Sequence, residues 1–392
     1  MNEIKTEIDR LEKMFEESIF SPKGVENTRF ALSLALIFLL EGDKNKASYY
    51  FDFCLHHLKH LHIPGIQYGY TELAYIAQMM NKKFGTYQQL TEQLNDLLLG
   101  MVTNIQLSKE NKFNVLDPLN GVWGIFRYLD NTSMDFKFEY TQFLKDYYSL
   151  TEAEPPFIDF VQLSYPGQNQ NFRLENYVDL GLAHGLAGHL WTLGNSRISI
   201  IEKELLIERI SNCLFQHIVT SGDKKYFPGW LLKKDNQLVL PDDAELFFSK
   251  QTYKWCYGSL GILTALYPVQ LYLSKQNKEL VDTVLRSSLN NIADTPLTDH
   301  CYCHGTSGQY RMLKVIDEEY QLIGKTKLAA LKQDLQHGFE KEQAMLCQES
   351  FIQFPESLYS HIDGYASLII TMLQEKEKPE INALVDQLRL IR

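Results

Sequence analysis

The sequence has few cysteines, no excess of positive charge and no long hydrophobic run. Six cysteines in 392 residues are too few for a disulfide-dense fold, so clustered Cys and His are better interpreted as metal ligands or catalysts. Lys and Arg number 38 against 49 Asp and Glu, and this acidic balance excludes nucleic acid as an expected partner. The longest apolar stretch has 11 residues (30–40), whereas a membrane-spanning helix needs about 20. The first residues lack a secretory signal pattern, and together these absences predict a cytoplasmic protein.

A short glycine turn recurs along the chain. Three weak copies begin at Gly24, Gly69 and Gly364, and four strict Gly-x-x-Gly copies begin at Gly121, Gly185, Gly258 and Gly305. Successive first glycines are 45 to 73 residues apart. A unit of this length that recurs along a chain is typical of a repeat architecture.

Helical patterns follow the turns. The stretch from Ile262 is apolar nearly all round, which predicts a buried helix. Residues 199–219 and 325–347 have apolar side chains three and four positions apart, which predicts amphipathic helices. We therefore predict an all-α fold, an α/α toroid (a double α-barrel) of seven helix pairs, as one domain over residues 1–392. The alternative is an open solenoid, but the copies near both ends stay apolar and offer no polar capping face.

Two regions depart from the helical pattern. Residues 150–178 and 222–252 carry Pro, Gly and Asn with little helical period. The second contains two hydrophobic segments around Lys234-Asp235-Asn236, which predicts a hairpin. We expect both regions to be small irregular or β insertions within the domain.

Reactive residues stand beside three of the strict turns. They are His184, Cys256 and the adjacent pair Cys303 and His304. Because these residues occupy equivalent places in a repeat, a toroid would bring them together at one end. Two Cys and one His with a fourth position open form a donor set of catalytic zinc. Thiolates and imidazole also favour zinc over hard cations.

Three motifs, taken together, resemble the lanthionine synthetase C-like (LanC-like) cyclase family. They are GLAHGLAG at 181–188, WCYGSLG at 255–261 and CHGTSG at 303–308. The resemblance covers most of the chain. It implies an α/α toroid with one zinc ion per chain, bound by Cys256, Cys303 and His304.

The resemblance also implies catalytic residues. His184 matches the acid/base histidine of the family, and Asp117 falls where members carry an Asp that pairs with it. Trp255 and Tyr257 match residues that flank the first Cys ligand. Some members carry an Arg where this chain has Thr252, so no substrate contact of that Arg is carried over.

The implied activity is that of a stand-alone lanthionine synthetase in lantibiotic biosynthesis. A Cys sulfur of a dehydrated precursor peptide would add to dehydroalanine or dehydrobutyrine, and zinc would keep that thiol ionised. The implied partners are the dehydrated precursor peptide, a separate dehydratase and an exporter, in a complex that would hold the enzyme peripherally at the membrane. Two alternatives stay open: addition of glutathione to dehydro amino acids, and a binding scaffold with structural zinc.

Several residues also have plainer interpretations. Cys301 could replace Cys303 as a ligand, and it would be the natural fourth ligand of a structural site. Asp117 could simply cap a helix. Trp255 and Tyr257 could be packing residues.

The remaining Cys and His residues are interpreted as structural. Cys54, Cys213 and Cys347 are expected to be inert core thiols. His189 is expected to be a core histidine. The neighbouring histidines of one segment are assigned to an outer, surface helix: His56, His57, His60 and His62.

Overall fold

The computed structural model describes most of the chain: residues 2–18, 24–58, 64–67, 69–107, 115–152, 177–235, 237–240, 253–292, 297, 299–346, 360–362 and 364–392. Most of the predicted insertion at 150–178 lies outside the described residues, as do four residues interpreted above: His60, His62, Thr252 and Cys347.

Helices make up most of the described residues. In chain order they are α1 (Asn2–Ser18), α2 (Gly24–Glu41), α3 (Lys44–His56), α4 (Tyr70–Phe84), α5 (Gln88–Thr103), α6 (Val122–Leu129), α7 (Lys137–Glu152), α8 (Leu186–Asn195), α9 (Ile201–Gln216), α10 (Ser259–Leu266), α11 (Lys275–Asn291), α12 (Thr306–Tyr320), α13 (Lys325–Leu346), α14 (Tyr365–Gln374) and α15 (Pro379–Leu388). The strands are β1 (Tyr177–Asp179), β2 (Val219–Ser221), β3 (Lys224–Tyr226), β4 (Trp230–Lys234) and β5 (Gln237–Val239).

Six helices begin directly after a first glycine of the repeat, as the sequence predicts. They are α4, α6, α8, α10, α12 and α14, and their N-terminal capping residues are Gly69, Gly121, Gly185, Gly258, Gly305 and Gly364. All eight residues of α6 and of α10 are buried, whereas α9 and α11 each bury one face. The predicted alternation of buried and half-buried helices is therefore present.

The chain divides into two compact units. The first consists of Met1–Ile63, Tyr68–Leu94 and Leu297–Arg389, and the second of Pro64–Gln67, Asn95–Pro296 and Leu390–Arg392. In the first, α2 packs on α1, α3, α4 and α14, and α12 packs on α13 and α14. In the second, α8 packs on α6, α9 and α10. The prediction of a single domain over 1–392 stays a prediction.

The strands all belong to the second unit. β4 pairs with β1 on one side and with β5 on the other, both antiparallel, and β2 pairs with β3. Lys234 of β4 is opposite Gln237 of β5, at the place where the sequence predicts a hairpin. The pairing with β1 sets Asp179 opposite Trp230 and so fixes the chain just before the His184 turn. No helix among the described residues has the length and hydropathy needed to cross a bilayer.

Candidate active site

One backbone hydrogen bond recurs between successive glycine turns. The N–H of Ile66 donates to the carbonyl of Leu119 at 2.7 Å. At the equivalent place, the N–H groups of Leu182 and Ala183 donate to the carbonyl of Cys256 at 2.8 and 3.2 Å. The turn that carries His184 is thereby attached to the turn that carries Cys256.

The same contact recurs in the first unit. There the N–H groups of Tyr302 and Cys303 donate to the carbonyl of Ile362 at 3.0 and 2.9 Å. The turn that carries Cys303 and His304 is thus held by its successor in the repeat.

His184 is paired with a carboxylate. Its Nδ1 lies 2.7 Å from Oδ2 of Asp117, and both side chains are partly buried. The other oxygen of Asp117, Oδ1, accepts the N–H groups of Leu119 and Asn120 at 2.9 and 2.7 Å. Asp117 therefore stabilises its own turn and orients His184. It does not cap α6, which begins after Gly121 without a side-chain cap. The acid/base role of His184 stays a prediction.

A second carboxylate, Asp179, lies close to this pair and was not found by sequence reasoning. It is buried, with Oδ1 accepting the N–H of Gly181 at 2.6 Å. Burial raises the pKa of Asp179 to about 6; the Gly181 N–H and the charge of His184 oppose this rise, and Asp117 adds to it. The sequence does contain a signal for this carboxylate, namely its distance from the turn. Asp179 stands six residues before the first glycine of its turn, and Asp299 stands six residues before Gly305.

The residues around Cys256 differ in exposure. Cys256 is buried and Trp255 is fully buried, as a packing residue would be. Tyr257 is half-buried, with its ring centroid 5.5 Å from that of Trp230 and 5.8 Å from Nζ of Lys254. Of the two aromatic residues, Tyr257 is therefore the more exposed one, and its role toward a substrate stays a prediction.

A cluster of potential metal ligands lies in the first unit. Asp299, Cys301 and His304 each offer a ligand atom, and these atoms lie within 4.8 Å of one another. Nε2 of His304 is 2.8 Å from Oδ2 of Asp299, and Oδ1 of Asp299 accepts the N–H of Cys301 at 2.9 Å. Burial would raise the pKa of Asp299, but the hydrogen bonds from His304 and Cys301 outweigh it and hold that pKa below its usual value.

The predicted ligands are distributed between the two units. Cys303 and His304 belong to the first unit and Cys256 to the second. Cys303 is half-buried and is not a member of the cluster formed by Asp299, Cys301 and His304. The assignment of zinc to Cys256, Cys303 and His304 stays a prediction. The structure places Cys301, the alternative ligand, beside His304 and adds Asp299 to this group.

The residues interpreted as core residues, where the structure describes them, are buried. His189 is buried with Nδ1 2.8 Å from the Tyr147 hydroxyl, and burial lowers its pKa to about 4. Cys213 is buried, and burial raises its pKa to about 12. The Cys54 thiol is buried and donates to the carbonyl of Thr28. These thiols are protonated at neutral pH and poor metal ligands.

The fold, the recurrent glycine turns and the Cys and His residues beside them define a class of protein. The sequence model of the lanthionine synthetase C-like proteins matches residues 29–382. The chain belongs to this family. It is also similar in structure to nisin cyclase, with a TM-score of 0.71 and 17% sequence identity over 99% of this chain and 98% of that chain. This likeness confirms the predicted α/α toroid fold class. No curated protein matches the sequence.

Proposed function

We propose that the protein is a zinc-dependent lanthionine synthetase, which closes thioether rings in a dehydrated precursor peptide. The observation that carries the proposal is the His184–Asp117 pair, at 2.7 Å, on a turn that is hydrogen-bonded to the carbonyl of Cys256. This connection fixes a proton-transfer group relative to a cysteine that the family resemblance assigns to zinc. Family membership and the shared fold of nisin cyclase support the same activity.

The donor chemistry of the chain fits zinc. Cys256, Cys303 and His304 supply two thiols and one imidazole, a set that favours zinc over hard cations. The cluster around His304, with ligand atoms within 4.8 Å, supports a metal in this part of the chain. Zinc, when bound, stabilises the thiolate form of a thiol whose ordinary pKa is about 8.5, and so supplies a nucleophile at neutral pH.

Residues of this chain supply the proton that completes the addition. When the substrate sulfur adds to the β-carbon of the dehydro amino acid, a C–S bond forms and the C=C π bond breaks. The electron pair moves toward the carbonyl as an enolate, and the α-carbon then takes a proton. We propose that His184 delivers this proton from Nε2, while Asp117 holds the ring through Nδ1 and stabilises the imidazolium.

The substrate chemistry defines the preceding reaction. Dehydroalanine and dehydrobutyrine arise by loss of water from Ser and Thr, so a dehydratase must act first. We propose a dehydrated peptide that contains Cys as the substrate and a cytoplasmic site of action. A complex with the dehydratase and a membrane exporter stays a prediction from the resemblance.

Thiol counting tests the proposal. The zinc-loaded protein is incubated with a Cys-containing dehydrated peptide, the products are alkylated, and mass spectrometry counts the remaining thiols. Each ring removes one alkylation site without changing the mass of the peptide. Unchanged thiol counts with zinc-loaded protein would contradict the proposal. Glutathione offered in the same assay identifies the alternative donor, because its addition raises the mass of the product.

A second candidate function is a binding scaffold with a structural zinc site. The position of Cys301 beside His304 and Asp299 favours it, because a fourth protein ligand would close the site. A Cys301→Ser variant separates the two functions. A scaffold loses zinc in this variant, whereas a cyclase keeps zinc bound and continues to form rings.

A further inference from the structure

Asp299 is fixed from three directions. Its Oδ1 accepts the N–H of Cys301 at 2.9 Å, and its Oδ2 lies 2.8 Å from Nε2 of His304. Its own carbonyl accepts the N–H of Thr306, the first residue of α12, at 3.1 Å. The carboxylate is therefore held at a defined place between the start of the turn and the helix that follows.

This placement selects one ring nitrogen of His304. A neutral imidazole carries its proton on one nitrogen and its lone pair on the other. Because the carboxylate of Asp299 accepts only, the proton stays on Nε2 and the lone pair on Nδ1. Metal-binding histidines commonly donate their second ring N–H to a carboxylate, which fixes the ring and makes it a better ligand.

We infer that Asp299 is a positioning residue for the metal, which holds His304 in the tautomer that presents Nδ1 as the ligand atom. The inference rests on the proposed function in one respect, namely that His304 binds zinc. It gives Asp299 a role that differs from direct ligation, because Oδ2 faces the proton-bearing nitrogen of the histidine.

Another copy of the repeat carries an aspartate at the position equivalent to Asp299. Asp179 stands at the same offset from its turn glycine, five residues before His184, and it also accepts the N–H two residues ahead, at 2.6 Å. The histidine beside it is paired differently, because Nδ1 of His184 is engaged by Asp117. Both Asp179 and Asp299 thus stabilise their turns, but it is Asp299 that contacts His304, a proposed zinc ligand.

The substitution Asp299→Asn isolates the role of the charge. Asn keeps an oxygen to accept the N–H of Cys301, so the turn is preserved. The amide group that then faces Nε2 is a donor, and it favours the tautomer with the proton on Nδ1. We expect the zinc affinity of this variant, measured by competition with a chromophoric chelator, to fall about 10- to 100-fold. The control Asp179→Asn is expected to keep the wild-type affinity.

A measurement on the wild-type protein does not depend on the folding of any variant. Nitrogen-15 NMR of the zinc-loaded protein, assigned through a His304→Gln variant, reports which ring nitrogen carries the proton. We expect the proton of His304 on Nε2 and zinc on Nδ1. Three results would each overturn the inference about Asp299 and leave the proposed function standing. They are a proton on Nδ1 of His304, an unchanged zinc affinity in folded Asp299→Asn, and an equal loss of zinc affinity in Asp179→Asn. A wild-type protein that binds no zinc would overturn the proposed function as well.

Discussion

Asp117 uses both of its oxygens, one for its own turn and one for a histidine 67 residues later. Oδ1 accepts two backbone N–H groups, and Oδ2 lies 2.7 Å from Nδ1 of His184. A carboxylate fixed in this way determines the tautomer and the direction of the imidazole. In the proposed mechanism this pair delivers the proton, with Nε2 of His184 as the donor atom.

Loss of the imidazole should abolish ring closure and leave the metal in place. For His184→Ala we expect cyclisation to fall roughly 100- to 10,000-fold, the usual contribution of a general acid. Zinc content should stay at the wild-type value, because His184 is not among the proposed ligands. Alkylation of peptide thiols gives the rate, and His56→Ala on α3 is the control. A normal rate in His184→Ala would remove the residue from the mechanism.

The substitution Asp117→Asn tests orientation separately from the presence of the histidine. Asn can still accept the N–H groups of the turn, but the amide that faces Nδ1 favours the wrong tautomer of His184. We expect a rate loss of about 100-fold or more with little change in thermal stability. If the activity of this variant is intact, the role of Asp117 is confined to its turn.

Removal of the thiol of Cys256 should remove the metal. We expect Cys256→Ala to lose both bound zinc and cyclisation, because the proposed set keeps only two ligands. The matched control is Cys213→Ala, which also removes a buried thiol but one that burial keeps protonated, with a pKa of about 12. Elemental analysis of the purified variants gives the result. Full zinc occupancy in Cys256→Ala would refute the assignment.

The buried carboxyl of Asp179 predicts a dependence of stability on pH. Its pKa of about 6 in the folded chain exceeds the value of about 3.9 expected when unfolded, so the folded chain binds the proton more tightly. This group therefore lowers stability as the pH rises from 4 to 6, by about 2 to 3 kcal/mol in total. Asp179→Asn should be more stable than the wild type at pH 8, and the difference should vanish near pH 4. Thermal midpoints across this range give the comparison, and a difference that grows toward pH 4 would contradict it.

The attachment between turns requires a glycine at position 181. A Cβ there would lie 2.2 Å from the carbonyl oxygen of Cys256, the atom that accepts from Leu182 and Ala183. Gly181→Ala should therefore break this hydrogen bond and reduce both stability and cyclisation. Gly100→Ala, on α5, is the control, because a Cβ there meets nothing within 4 Å. It should stabilise the protein by about 0.4 to 1 kcal/mol. Equal behaviour of the two variants would contradict the argument.

The recurrent glycines were enough to predict where the buried helices begin. Leu186, Ser259 and Thr306 each follow a predicted turn glycine and open α8, α10 and α12. These helix starts are predictable because neighbouring residues in the sequence determine both the turn and the apolar helix that follows it. The pairing of β1 with β4 was not predicted, since it joins residues more than 50 positions apart.

The candidate site was only partly readable from the sequence. Their place beside the turns predicts His184, Cys256, Cys303 and His304 as site residues, and the family resemblance predicts Asp117. Asp179 and Asp299 were missed because they lie in stretches without helical period, where a carboxylate looks like an ordinary turn residue. The burial of Asp179 and the contacts of both carboxylates depend on how the turns fold, which residue spacing does not specify.

X-ray absorption at the zinc edge, on the purified wild-type protein, is the most direct test of the central claim. The proposed site predicts two sulfur ligands, one imidazole nitrogen and one light atom from water, and it predicts a third sulfur when a Cys-containing peptide is added. A free protein with four side-chain ligands, or a spectrum that the peptide does not change, would contradict a site open to an incoming thiol.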